Sequence, residues 1–245
     1  MIAYSFVGYF FMSTSEQNRF SIIVAGGSGT RMRSVIAKQF LPLFDKPILS
    51  HTIEKFLSIP ENKVIAVLPL DDMNFWEDII ESNEILTEAV EAGKLKTVVG
   101  GATRYQSVSH GLAAISENEG LVAIHDGVRP LITIELIGNS FREASQNGSA
   151  VLAVELKDSA REINGQKNHQ IDRSKIRLVQ TPQTFDLNKI KAAFALGEQS
   201  NFTDDASVFE YAGHSVHLIE GDYRNIKITT PEDLEIAEVF MKSMK

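Results

Sequence analysis

The sequence predicts an α/β fold: a mostly parallel, twisted sheet with helices on both faces, in one domain from which a β-arm projects. Three observations predict it. Short β-branched apolar runs alternate with segments of helical spacing through most of the 245 residues. The runs are apolar enough to be strands covered on both sides. One stretch, 157–177, breaks the alternation with polar and charged residues around Asn164-Gly165, a strong hairpin-turn signal.

Residues 20–24 (FSIIV) make the first strand, which ends at a glycine cluster. Over 48–59, Leu49, Ile53, Phe56 and Leu57 share one helical face. A second buried strand follows at 63–68, then a helix over 71–82, a short strand at 95–99 and a helix over 104–115. The strand at 121–124 ends at His125-Asp126, followed by a helix over 133–146 and a strand over 150–156. Beyond the arm come helices at 187–196 and 204–211 and a strand at 215–219. The last helix starts at Thr230, a good N-cap, with Pro231 suited to the first helical position and Glu232 and Asp233 at the positive helix end. In sheets of this kind ligands bind at the carboxyl ends of the strands.

Composition narrows the function. Hydrophobic residues make up 43%, enough for a substantial core. The formal net charge of -8 argues against general nucleic-acid binding, although a few local cations suffice for one triphosphate. With no cysteine, disulfides, thiolate zinc sites and cysteine nucleophiles are excluded, and a cytoplasmic location fits. The apolar residues 1–12 are too short for a membrane-spanning helix and lack a basic region in front. Met12 is the expected natural start, with the residues before it an artefact or flexible tail; 1–12 stand outside the domain, which is 13–245. Retention of Met1 in the native protein, read by mass spectrometry, would count against that.

The strongest local signal is Ala25-Gly26-Gly27-Ser28-Gly29-Thr30-Arg31-Met32, directly after the first strand. Glycines let a backbone approach a ligand and offer N–H groups to phosphate oxygens, and Arg31 adds a planar fork of donors. No Gly-Lys-Ser/Thr follows, and Met32 stands where a dinucleotide fingerprint has its third glycine. The glycines alone fit a plain turn equally well. Arg31 with nearby Lys38 favours triphosphate binding, because attack on an α-phosphorus spreads negative charge that positioned cations offset.

This loop, followed by Lys38-Gln39-Phe40-Leu41, resembles the nucleotidyltransferases that activate sugars and polyols. Further motifs narrow the family: Gly100-Gly101-Ala102-Thr103-Arg104-Tyr105-Gln106-Ser107-Val108, His125-Asp126-Gly127-Val128-Arg129-Pro130, Thr181-Pro182-Gln183-Thr184-Phe185, Thr203-Asp204-Asp205-Ala206-Ser207, and the run from Asn225 to Leu234. Together they resemble the 2-C-methyl-D-erythritol 4-phosphate cytidylyltransferase family from about Ser21 to the C-terminus. The resemblance implies a Rossmann-like fold and transfer of a cytidylyl group from CTP to a polyol phosphate, with Mg²⁺ as cofactor.

It also implies roles. Backbone at Ala25, Gly26 and Gly27, with Gly101 and Ser107, would receive cytosine and ribose. Gly29 would lie against the triphosphate, and Arg31 and Lys38 would stabilise the pentavalent phosphorus and leaving group. Asp126 would sit near the ribose and the magnesium-bound triphosphate, and Lys227 would hold the reacting phosphates. Arg129, Ser159, Arg173, Thr181 and Thr203 would line the polyol-phosphate pocket. The arm would reach across a homodimer interface, so Ser159 and Arg173 would serve the partner's site.

Residue by residue, blander roles stay open. Asp126 could cap a turn, His125 reads as structural, and Lys227 and Arg173 could be surface cations. Thr181 and Thr203 could be helix caps, and Asp204 and Asp205 complement a helix dipole without a catalytic role. Gly26 and Ser159 depart from common family choices, alanine and threonine, and Gly26 keeps a ribitol 5-phosphate acceptor open. A non-catalytic nucleotide-binding protein is a further alternative. A glycosyltransferase usually carries an Asp-X-Asp motif at a strand end, and this chain shows only His125-Asp126 there.

Overall fold

The computed structural model describes residues 17–26 and 36–244. Strand β1 (Arg19–Val24) leads to a small hairpin, β2 (Pro42–Leu43) and β3 (Lys46–Pro47), then α1 (Ile48–Leu57) and β4 (Asn62–Leu68). Next come α2 (Met73–Glu81), α3 (Glu84–Glu91), β5 (Leu95–Val99), α4 (Arg104–Ala113), β6 (Leu121–Asp126), α5 (Ile134–Asn147) and β7 (Ser149–Glu155). The arm is β8 (Arg161–Asn164) and β9 (Lys167–Gln170). It is followed by β10 (Arg177–Asp186), α6 (Leu187–Phe194), α7 (Asp205–Tyr211), β11 (Leu218–Glu220) and α8 (Pro231–Ser243).

Seven strands form one sheet in the order β11-β7-β10-β6-β1-β4-β5. Its strand pairs are parallel except those of β10, which runs antiparallel to β6 and β7. Alternate residues of β1 feed opposite faces. Ile23 joins Leu49, Ile53 and Phe56 of α1 and Phe141 of α5 on one side. Phe20, Ile22 and Val24 meet Val108 of α4 and Ile190 of α6 on the other. The run is thus a period-2 strand covered on both faces. Helix α8 closes a third cluster over Leu43, Ile48, Val128 and Leu131.

Caps set the helix starts. The Thr103, Thr133 and Thr230 hydroxyls accept from Gln106, Leu136 and Asp233 N–H. Thr230 and Asp233 complete a reciprocal box in which each side chain holds the other's backbone, with Pro231 in the first turn, as expected. Gly148 ends α5 in the left-handed region, φ 78°, where a side chain would be strained.

The arm is the expected hairpin. Its strands pair only with each other, Asn164 opposite Lys167, and all eight strand residues are exposed.

Four elements differ from the sequence reading. The helix expected over 71–82 is a short 3-10 turn, Leu70–Asp72, and then α2. Helix α3 was not read from the sequence; Asn83 caps it through Leu86 N–H. The strand expected at 215–219 is only Leu218–Glu220. Strand β10 was read as a motif after the arm, not as part of the sheet. Proline lacks the ladder donor and argues against a central strand. Here the register shifts between Val179 and Gln183, so Pro182 sits in an irregularity and the ladder resumes beyond it.

Helix α4 lies close on the sheet because Gly111 has no side chain. A methyl there would stand 2.7 Å from Ile22 Cγ2 and 3.2 Å from Val67 Cγ2, rigid branches of buried residues. Gly111→Ala should therefore destabilise the protein by about 1–3 kcal/mol despite alanine's better helix propensity. Urea unfolding measures it; equal or greater stability would show that α4 can move outward freely.

Candidate active site

Three strand ends converge at the carboxyl edge of the sheet. After β1, Ala25 N–H donates to Val67 O at 2.9 Å. After β6, Gly127 N–H donates to Val24 O at 2.8 Å, and a methyl on Gly127 would come within 3.2 Å of Ala25 Cβ. After β5, Gly100 N–H donates to Leu68 O at 2.7 Å. The next turn is held by Ser107, whose Oγ accepts Gly101 N–H at 3.1 Å and donates to Thr103 O at 3.0 Å. A Cβ on Gly101 would lie 2.3 Å from Gln106 Cβ, so this turn requires glycine. Among the described residues, a methyl at Gly26 would meet Ser107 Oγ at 3.9 Å, an ordinary contact, so Gly26 faces Ser107.

Beside these turns lies a charge cluster around Asp126, whose side chain is 10% exposed. Its Oδ2 meets Lys227 Nζ at 3.1 Å and Arg129 Nε at 3.2 Å, and its Oδ1 faces Arg104 Nε at 3.8 Å. Burial alone would raise the pKa of this carboxyl. The cations at Lys227, Arg104 and Arg129 outweigh it and hold the group ionised, well below the usual carboxylate range. Arg129 also donates to Asn225 O at 2.8 Å, and Ile228 N–H to Val128 O at 2.9 Å. The segment carrying Lys227 is thereby bound to the loop carrying Asp126 and Arg129.

That loop is fixed from below. Thr52 Oγ1 donates to Gly127 O at 2.9 Å and Lys55 Nζ to Pro130 O at 2.7 Å, both from α1. Burial lowers the Lys55 pKa to about 8. His125 is fully buried; its Nε2 lies 3.3 Å from Arg129 O and its Nδ1 3.0 Å from Thr181 Oγ1, which accepts Asp126 N–H at 3.1 Å. One arrangement satisfies all three contacts: a neutral ring with Nε2–H donating to Arg129 O and the Thr181 hydroxyl donating to Nδ1.

The profile of one family, IspD, 2-C-methyl-D-erythritol 4-phosphate cytidylyltransferase, matches residues 20–243. The chain belongs to this family. Among relatives, the 2-C-methyl-D-erythritol 4-phosphate cytidylyltransferase of Bacteroides thetaiotaomicron is 41% identical, over 90% of this chain and 98% of that one. That of Phocaeicola vulgatus is 40% identical over 91% and 100%. Among solved structures, 4-diphosphocytidyl-2C-methyl-D-erythritol synthase from Anaerococcus prevotii superposes with a TM-score of 0.78 at 30% identity, covering 92% of this chain and 96% of that one. The Francisella tularensis cytidylyltransferase gives 0.75 at 29%, covering 91% and 99%.

Of the positions that the family resemblance points to, Ala25, Gly26, Gly101, Ser107, Asp126, Arg129 and Lys227 stand along this carboxyl edge. Gly27, Gly29 and Arg31 lie outside the described residues, as do residues 1–12. Lys38 opens a 3-10 turn, Lys38–Phe40, just past that loop. Ser159 and Arg173 sit on the arm, where Arg173 Nη1 donates to Lys157 O at the arm's base. Thr181 is no helix cap: it lies in β10, and its hydroxyl binds His125 and Asp126 N–H. Thr203 does not cap α7 either. Asp204 does, accepting Ser207 N–H, while Thr203 N–H donates to Ser207 Oγ at 3.2 Å.

Two residues carry more in this cytidylyltransferase than the sequence reading gave them. Asp205 is not simply an acid at a helix start: its buried carboxylate takes the Arg104 fork, at 2.7 and 2.6 Å. In the sequence Arg104 stands out only as part of a motif. Its signal was a cation on the first turn of a helix, where the dipole opposes positive charge. Among the described residues no group of three or more His, Asp or Glu could hold an ion. Asp126 offers one ionised carboxylate, which suits a cation held mainly by substrate phosphates.

The buried His125 links stability to pH. Desolvation lowers its pKa from 6.5 to about 3. Between those values the unfolded chain binds a proton that the native ring refuses, so stability is full above about 6.5 and falls as pH drops, by up to about 1.4 kcal/mol per pH unit. Urea unfolding at pH 7 and pH 5 should show this loss in the wild type and a smaller one in His125→Gln. Equal losses in both proteins would reject it.

Proposed function

We propose that the protein transfers a cytidylyl group from CTP to 2-C-methyl-D-erythritol 4-phosphate in the non-mevalonate isoprenoid pathway. The products are 4-diphosphocytidyl-2-C-methyl-D-erythritol and pyrophosphate. The observation that carries the reading is the meeting of a glycine-lined edge, at Gly26, Gly101 and Ser107, with the Asp126–Arg129–Lys227 charge cluster. The first suits a base and ribose pressed against backbone, and the second suits phosphates.

In the reaction an acceptor phosphate oxygen, already anionic near neutral pH, bonds to the α-phosphorus. The bond from that phosphorus to the α,β-bridging oxygen breaks, and pyrophosphate leaves with the electron pair. No covalent intermediate on the protein is needed. Arg31, Lys38 and Lys227 offset charge on the reacting phosphates, and positioning supplies the rest. Asp126 would help hold Mg²⁺ on the triphosphate, where the ion would supply further charge neutralisation. Arg129, Thr181 and Thr203 belong to the acceptor side.

Ser159 and Arg173 complete the acceptor pocket of the partner subunit in a homodimer joined through the arm. The exposed hairpin supports this: Ile163 is 70% exposed at its end. No helix among the described residues is long and apolar enough to cross a membrane. With the absence of cysteine, that suits a cytoplasmic enzyme.

Pyrophosphate release decides between acceptors. With CTP and Mg²⁺, the protein should release pyrophosphate with 2-C-methyl-D-erythritol 4-phosphate and not with ribitol 5-phosphate, and excess chelator should abolish release. Lys38→Ala and Lys227→Ala should each lower kcat by about 10²–10³-fold. Arg173→Ala should chiefly raise KM for the acceptor. Release with ribitol phosphate alone would overturn the acceptor assignment, and CTP binding without release would favour a nucleotide sensor.

A further inference from the structure

The Arg104–Asp205 pair lies beside Asp126, and neither partner has a place in the chemistry above. Asp205 is 1% exposed, and its surroundings are rigid: Ala206 N–H donates to Gln183 Oε1 at 2.8 Å and Gln183 Nε2 to Asp204 Oδ2 at 2.9 Å. The Arg104 fork binds it through both Nη atoms. Only Nε is left towards Asp126, and it stops 3.8 Å from Oδ1, beyond hydrogen-bond reach. Among the described residues the two oxygens of Asp126 are therefore unequal. Oδ2 is engaged by Lys227 and Arg129 at 3.1 and 3.2 Å, while Oδ1 faces a cation tied back by another carboxylate.

A guanidinium beside two carboxylates can fork onto one at a time, and a bidentate pair is the strong arrangement. We propose that Asp205 is a positioning residue that holds the Arg104 fork away from Asp126, so that Oδ1 of Asp126 stays available to the incoming CTP. This rests on the reading that Asp126 faces the nucleotide. With Asp205 neutral, Arg104 turns onto Asp126, covers Oδ1 and competes with CTP.

Calorimetric titration with CTP, in the absence of acceptor, tests the proposal on the full-length wild type, Asp205→Asn, Arg104→Met and the double variant. Circular dichroism and thermal unfolding run in parallel. Asp205→Asn should weaken CTP binding about tenfold. Removing the competing cation as well, in Arg104→Met with Asp205→Asn, should restore Kd to within about threefold of the wild type, a coupling that a loss of structure alone would not produce. The proposal is overturned if the double variant binds as weakly as Asp205→Asn, or if Asp205→Asn binds like the wild type. It is also overturned if Arg104→Met alone loses as much as Asp205→Asn, which would make Arg104 a direct CTP contact. If Asp205→Asn does not fold, Asp205→Ser, smaller and equally neutral, takes its place with the same expectations. A wild type that binds CTP but releases no pyrophosphate defeats the transferase reading and leaves the coupling measurable. One that binds no CTP overturns both.

Discussion

A single ionised carboxylate at the end of a central strand organises this protein. Taking Asp126 out of water carries a penalty of several kcal/mol unless charge is supplied nearby. The fold supplies it from three directions: Arg104 on α4, Arg129 on the loop after β6, and Lys227 on the segment before α8. The cations are 31%, 12% and 40% exposed, and each is buried enough to feel the carboxylate. The cluster therefore has two functions. It ties together segments distant in the chain, and it keeps positive charge beside the glycine-lined edge where phosphates would arrive.

Sheet topology explains why this happens at one place. From β1 the chain builds outward to β4 and β5 and then returns to β6 on the other side. The reversal brings the carboxyl ends of β1 and β6 side by side, at the position where parallel α/β sheets bind ligands. Helix α4 covers the opposite face from α1 and brings Ser107 towards Gly26. Strand β10, inserted between β6 and β7, brings Thr181 beneath Asp126 and Gln183 to the start of α7. Its irregular register around Pro182 is what lets a proline-bearing segment sit there.

Support beneath the charged loop is as ordered as the cluster itself. The carbonyls of residues 127 to 130 are each engaged, by Thr52, Ile228 N–H, His125 and Lys55 in turn. A neutral imidazole suits this role because it donates at one nitrogen and accepts at the other without adding charge to a buried site. The low His125 pKa follows from its burial and gives no sign of acid–base chemistry.

Local signals in the sequence determined much of this. The apolar runs at 63–68 and 95–99, the cap-proline-acid start at Thr230 and the Asn164-Gly165 turn depend on neighbours within a few residues, so they could be read directly. The ordered motifs likewise indicated the family before any contact was known. Helix α3 and the sheet position of β10 were not legible, because a short amphipathic segment and a proline-interrupted strand take their structure from what covers them. Charge pairing was hidden for the same reason. Asp205 looked like a dipole-compensating acid and Arg104 like one letter of a motif, since the residue that neutralises each lies 101 positions away. Only the tertiary structure decided which cation meets which carboxylate, because Coulomb attraction depends on distance in space and desolvation on burial, and neither is a property of neighbouring residues in the chain.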